Sequence, residues 1–173
     1  GYTYVGGNFE SGKYTKVYAS TTLRVKDDFI SNKYLTLRHD AKIYVGKKLK
    51  TLTSVEGGSY SEFHVGGSLQ ASTSWIKIRD CTTVSVGGNV TALSYIELGK
   101  SGDYTPLTND GANIKNELQA DSSDNAKGGT FFIGQSLVSY GGQIFEYGYS
   151  QVAVGNYVFT PKYLTLRHNA DLW

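Results

Sequence analysis

The chain has 173 residues, enough for one structural unit, and its 17 basic and 15 acidic residues leave a net charge of +2. The longest basic stretch is Lys47, Lys48 and Lys50, which excludes the charge footprint of a nucleic-acid binder. No apolar run approaches the ~20 residues that cross a bilayer, and a single cysteine, Cys81, excludes an internal disulfide framework.

Taken in chain order, Val5, Val25, Val45, Val65, Val86, Ile114, Ile133 and Val154 each stand four positions before another apolar residue. Those partners are Phe9, Phe29, Leu49, Leu69, Val90, Leu118, Leu137 and Val158. The intervals between anchors are 20, 20, 20, 21, 28, 19 and 21 residues. A period near 20 is the mark of a repeat architecture, in which each unit buries its apolar face on the next.

The stretches Leu23-Arg24-Val25, Ile43-Tyr44-Val45 and Val84-Ser85-Val86 alternate apolar and polar residues, as a strand with one face inward does. Gly6-Gly7, Gly66-Gly67, Gly87-Gly88, Gly46-Lys47, Gly134-Gln135 and Gly155-Asn156 follow the anchors. Glycine accepts positive φ without penalty, so a sharp corner is predicted at these sites. A second alternating stretch comes ten and twelve residues after the anchor, at Leu35 and Leu37, Ile96 and Leu98, and Leu164 and Leu166. Ile76 and Ile78 fall one position later. The predicted fold is all-β: a single-stranded, right-handed parallel β-helix (β-solenoid) of eight coils, with two or three short strands per coil. At ~4.8 Å per rung it forms a rod of roughly 38 Å.

The segment Lys33 to His39 recurs as Lys162 to His168, six coils on in this count, and supports the register independently. The interval of 28 predicts an insertion of about eight residues near 99–111, which leaves the solenoid as a loop on one face with Tyr104 at its centre. Residues 1–173 read as a single solenoid domain. Because the chain starts inside a repeat at Tyr4-Val5-Gly6-Gly7 and stops at Leu172-Trp173, it is expected to be a fragment of a longer surface protein.

Solenoid hydrolases need two or three carboxylates converging from neighbouring coils. Here Asp40 and Asp80 lie two coils apart, Asp27-Asp28 occupies one corner, and Asp121 and Asp124 fall in the least regular coil. No catalytic residue is assigned, and the protein is expected not to be an enzyme. His39 and His168 share a position in distant coils, His64 stands elsewhere, and no zinc spacing is present. All three read as surface or corner residues, Cys81 as a small inward residue, and neither metal nor cofactor is expected.

Aromatic residues carry the stronger signal. Tyr14, Tyr34, Tyr95 and Tyr163 share the outward position nine residues after the anchor, and Trp75 joins them once a one-residue insertion is counted; Ser54 interrupts the column. A row of exposed flat rings at one per rung suits face-on stacking against the C–H faces of sugar rings. The same row also fits a ladder that stabilises the sheet. Tyr18, Tyr44, Tyr60, Tyr140, Tyr147, Tyr149 and Tyr157 lie off this column and supply a second patch.

The corners from Val5-Gly6-Gly7-Asn8-Phe9 to Val154-Gly155-Asn156-Tyr157-Val158, together with the outward tyrosines and the insertion, resemble the β-helical C-terminal domains of tāpirins. Those are cellulose-binding surface proteins of thermophilic, plant-degrading bacteria. The resemblance implies an extracellular, cell-surface adhesin that holds insoluble plant polysaccharide, cellulose above all, without cutting it. It implies Tyr14, Tyr34, Trp75, Tyr95 and Tyr163 as contacts, with Tyr104 from the loop. It implies neither nucleic acid nor membrane insertion as a partner. The alternative is a structural or self-assembling solenoid, a bactofilin-like filament or adhesin stalk, with no glycan bound.

Overall fold

Apolar–polar alternation gives short strands, and the computed structural model, which describes residues 1–58, 60–79, 83–99, 130–147, 150–166 and 170–173, contains no other regular element there. The first coil holds β1 (Tyr2–Val5), β2 (Phe9–Ser11) and β3 (Thr15–Tyr18), and the second β4 (Thr22–Val25), β5 (Phe29–Ser31) and β6 (Leu35–Arg38). The third holds β7 (Lys42–Val45), β8 (Leu49–Thr51) and β9 (Val55–Gly57), and the fourth β10 (Glu62–Val65), β11 (Leu69–Ala71) and β12 (Ile76–Arg79). The fifth holds β13 (Thr83–Val86), β14 (Val90–Ala92) and β15 (Ile96–Gly99). The sixth holds β16 (Thr130–Ile133), β17 (Leu137–Ser139) and β18 (Ile144–Tyr147), and the seventh β19 (Gln151–Val154), β20 (Val158–Phe159) and β21 (Leu164–Leu166). A final strand, β22 (Asp171–Leu172), begins another rung.

Each strand pairs in parallel with its counterpart one coil away, giving three sheets of eight, seven and seven strands. The chain is therefore an all-β solenoid with three strands per coil. Among the described residues seven complete rungs are separated by six steps, about 29 Å at ~4.8 Å each.

The anchor column runs Val5, Val25, Val45, Val65, Val86, Ile133, Val154. This corrects the predicted coil count. Val86 pairs directly with Ile133, so no rung exists for Ile114 and Leu118, which lie outside the described residues. The predicted loop near 99–111 falls, beyond Gly99, outside the described residues, in the interval between Gly99 and Thr130. The two copies of the repeated segment are five steps apart, from β6 to β21, not six.

Inward residues of the three sheets meet in one core. Leu23, Ile43, Phe63, Val84, Phe131 and Val152 stack behind the anchors, Phe29, Leu49, Leu69, Val90 and Leu137 fill the second sheet, and Leu35, Leu37, Ile76, Ile78, Ile96 and Leu98 the third. Each such side chain stabilises the rod by roughly 1.5–3 kcal/mol through area removed from water. Phe9 and Phe29 continue the ladder by stacking at 4.9 Å.

Each corner follows its own rule. The first carries the glycines, and the reason differs from the one predicted: Gly99 is the one described glycine with positive φ. A Cβ at Gly46, Gly66, Gly87, Gly134 or Gly155 would come within 3.0 Å of the carbonyl oxygen of the preceding rung. Glycine is needed there because adjacent main chains approach too closely for any side chain. Beside it, side-chain oxygens take the next rung's amides: Asn8 Oδ1 accepts from Asp28 N–H at 3.1 Å, and Asp28 Oδ1 from Lys48 N–H at 3.0 Å. Asn89 Oδ1 accepts likewise from Ser136 N–H at 3.0 Å. At the second corner Ser11 Oγ donates to the Tyr14 carbonyl at 3.3 Å, and Ser31 Oγ lies within 3.1 Å of the Tyr34 carbonyl. The third corner turns through left-handed φ at Ala19 (55°), Ser20 (54°), His39 (59°), Asp40 (59°) and Tyr60 (63°).

Candidate functional site

The predicted aromatic row lies at the start of the third sheet, and the main chain sets its register. Thr15 N–H donates to the Tyr34 carbonyl, Leu35 N–H to Ser54, Val55 N–H to Trp75, Ile76 N–H to Tyr95, Ile96 N–H to Gln143 and Ile144 N–H to Tyr163. The column is thus Tyr14, Tyr34, Ser54, Trp75, Tyr95, Gln143, Tyr163, with a second interruption at Gln143. The hydroxyls of Ser11 and Ser31 pin the carbonyls of Tyr14 and Tyr34 and so orient the first two positions.

Tyr14 and Tyr34 stack on each other at 5.2 Å with planes 9° apart, and Trp75 and Tyr95 at 6.2 Å and 17°. Rings lying side by side in the sheet surface cannot approach to 5.2 Å, because their edge hydrogens collide. Tyr14 and Tyr34 therefore overlap face to face along the rod and present edges and hydroxyls outward. Lys16 Nζ sits 5.1 Å from the Tyr14 ring centre, and Lys77 Nζ 4.8 and 5.2 Å from those of Trp75 and Tyr95. Tyr34, Trp75 and Tyr95 are half-buried, while Tyr14 is 50% and Tyr163 66% exposed. Tyr163 has no ring partner among the described residues. Tyr104, Cys81, Asp80, Asp121, Asp124, His168 and Tyr149 lie outside the described residues.

A second feature lies on the first sheet, and the sequence reading located only one of its aromatics, Tyr44. Outward residues there form the column Tyr4, Arg24, Tyr44, His64, Ser85. The Arg24 guanidinium sits 5.9 Å over the Tyr44 ring, and Tyr44 stacks on His64 at 4.6 Å and 5°. These side chains, with Tyr2 and Lys26, wall an open groove of about 750 Å³ whose floor includes Gly46, Gly66 and Gly87. The floor is bare because the first corner admits no Cβ. Next to the groove, Lys42 Nζ bonds Glu62 Oε1 at 2.8 Å and His64 Nε2 lies 3.3 Å from Glu62 Oε2. The hydrogen bond from Lys42 holds the Glu62 carboxyl below the usual carboxylate range; partial burial opposes this and His64 adds to it.

Among the described residues no three His, Cys, Asp or Glu side chains gather in a metal-binding group. One inward carboxylate escaped the sequence reading: Glu146 occupies the core column of Leu98 and Leu166, is buried, and accepts a bond from Ser150 Oγ at 3.2 Å. Against family models, curated proteins and solved structures, the chain finds no match.

Proposed function

We propose that this solenoid binds an insoluble plant polysaccharide, cellulose first, without cutting it, as part of a cell-surface adhesin of the tāpirin kind. The observation that supports the reading is the register of Tyr14, Tyr34, Trp75, Tyr95 and Tyr163 along one edge of the third sheet. A polymer lying along the rod meets an aromatic side chain at five of the seven described rungs, and the most exposed of them is Tyr163, at 66%. The paired rings hold each other in place, so little side-chain entropy is lost on binding.

A pull-down on microcrystalline cellulose tests it. Tyr163→Ala, which disturbs no ring pair, is expected to reduce retention several-fold, and the variant with all five aromatics changed to alanine to abolish it. Full retention by a folded five-fold variant would remove the row from the mechanism.

A further inference from the structure

The groove on the first sheet is independent of the aromatic row, and its chemistry differs. Its lining comes from five successive rungs: Tyr2 and Tyr4, Arg24 to Lys26, Tyr44 to Gly46, His64 to Gly66, and Ser85 with Gly87. Four steps between those rungs make it about 19 Å long. An open trough of that length suits a chain, not a compact metabolite.

Its charge is one-sided. Arg24 and Lys26 line it, and no Asp or Glu does. Two carboxylates adjacent in sequence or strand to the lining are already engaged, Glu62 by Lys42 at 2.8 Å and Asp27 by Lys47 at 2.9 Å. Arg24 and Lys26 have no ion pair among the described residues, in contrast to Arg38 with Glu56 and Arg79 with Glu97. The position of Lys26 sharpens the point. It stands in the column that continues as Gly46, Gly66, Gly87, Gly134 and Gly155, so a long cation occupies a place where the later rungs carry no side chain.

Stacking surfaces and polar groups alternate along the wall. Tyr2 and Tyr4 are exposed, and Tyr44 lies between Arg24 and His64. A peptide lying along the groove would cross the strands and could not add to the sheet: of the strands beneath, only β1 has an open edge, and β4, β7, β10 and β13 pair on both sides. A polysaccharide bearing carboxylates fits both the rings and the charge, and the planar guanidinium of Arg24 matches a carboxylate in a two-point contact.

We propose that this groove binds a linear polysaccharide bearing carboxylate groups, with Arg24 and Lys26 as the anion contacts, Tyr2 and Tyr4 as the sugar-facing rings, and Tyr44, flanked by Arg24 and His64, as the ring that holds the guanidinium. Affinity electrophoresis of the whole chain in gels containing polygalacturonate, dextran sulfate or soluble hydroxyethyl cellulose tests it. Polygalacturonate is expected to retard the protein most. Arg24→Gln with Lys26→Gln is expected to weaken that retardation at least tenfold. Lys33→Gln with Lys162→Gln, which removes the same charge outside the groove, is expected to leave it unchanged. Absence of retardation, equal loss in both double variants, or preference for dextran sulfate overturns the proposal. Tyr163→Ala serves as the cross-check: loss of cellulose retention with polygalacturonate binding intact separates the two surfaces. Thermal unfolding of each variant confirms that it is folded.

Discussion

Leu35 and Leu164 occupy the same place in two identical heptapeptides, yet Leu35 is wholly buried and Leu164 is 44% exposed. The difference comes from the neighbouring rung alone. Val55 of β9 lies over Leu35, and no described strand of the third sheet lies beyond β21. Leu35→Ala should therefore cost about 2–5 kcal/mol, because it leaves a cavity between rungs. Leu164→Ala should cost less than about 1 kcal/mol. Denaturant unfolding of the two variants measures both, and equal losses would show that the last rung is covered in solution.

The first corner makes a sharper prediction. Gly66→Ala forces a methyl group against the Gly46 carbonyl, a main-chain atom that cannot swing aside. A loss of about 1–3 kcal/mol or more is expected. Gly7→Ala meets nothing within 4 Å and should change stability by less than about 0.5 kcal/mol. If the two variants melt together, steric exclusion is not what holds glycine in that column.

Left-handed backbone at the third corner predicts a gain. Ala19 is exposed with φ 55°. Relief of the Cβ–carbonyl clash is worth about 1–2 kcal/mol, and the looser unfolded chain of a glycine takes back about 0.4–1. Ala19→Gly should raise stability by up to about 1 kcal/mol. A lower melting temperature would show that the corner relaxes without it.

The Lys42–Glu62 pair gives the stability a pH dependence with a definite sign. The pKa of Glu62 is lower folded than unfolded, so its contribution is present above the ordinary carboxylate value of about 4.3 and lost as pH falls through the folded value. Lys42 has a raised pKa, so the same pair persists up to lysine's ordinary range and fades above it. Wild type should melt higher than Glu62→Gln at pH 7, and the gap should narrow as pH falls toward 3. A gap of constant size from pH 7 to pH 3 contradicts this assignment.

Much of the solenoid was legible because one rule, apolar inward at a fixed period, governs every rung. Trp75, Ile76 and Ile78 fell into register even across an extra residue. The false rung at Ile114 had warning signs: Ala112 stands two positions before it and Lys115-Asn116 follow it, where six of the seven true rungs carry a larger apolar residue and six a glycine. Spacing alone admitted it. The aromatic column was legible by alternation, but the way its rings turn was not, since Tyr14 and Tyr34 choose each other's faces only once the rungs are 5.2 Å apart at the rings. The groove was hidden for another reason. Its walls come from residues about twenty apart, and its floor is a place where side chains are missing, which no motif announces.

That bare floor also sets the unit in which this rod can change. Stacked glycines from Gly46 to Gly155 form a seam of main chain, and each rung can join it only by bringing its own glycine to the same place. A coil copied whole arrives with its glycine, its strand pattern and its corner residues already in step. Partial copies break the seam. The molecule is therefore free to vary in length by whole turns and confined in almost every smaller change at that edge.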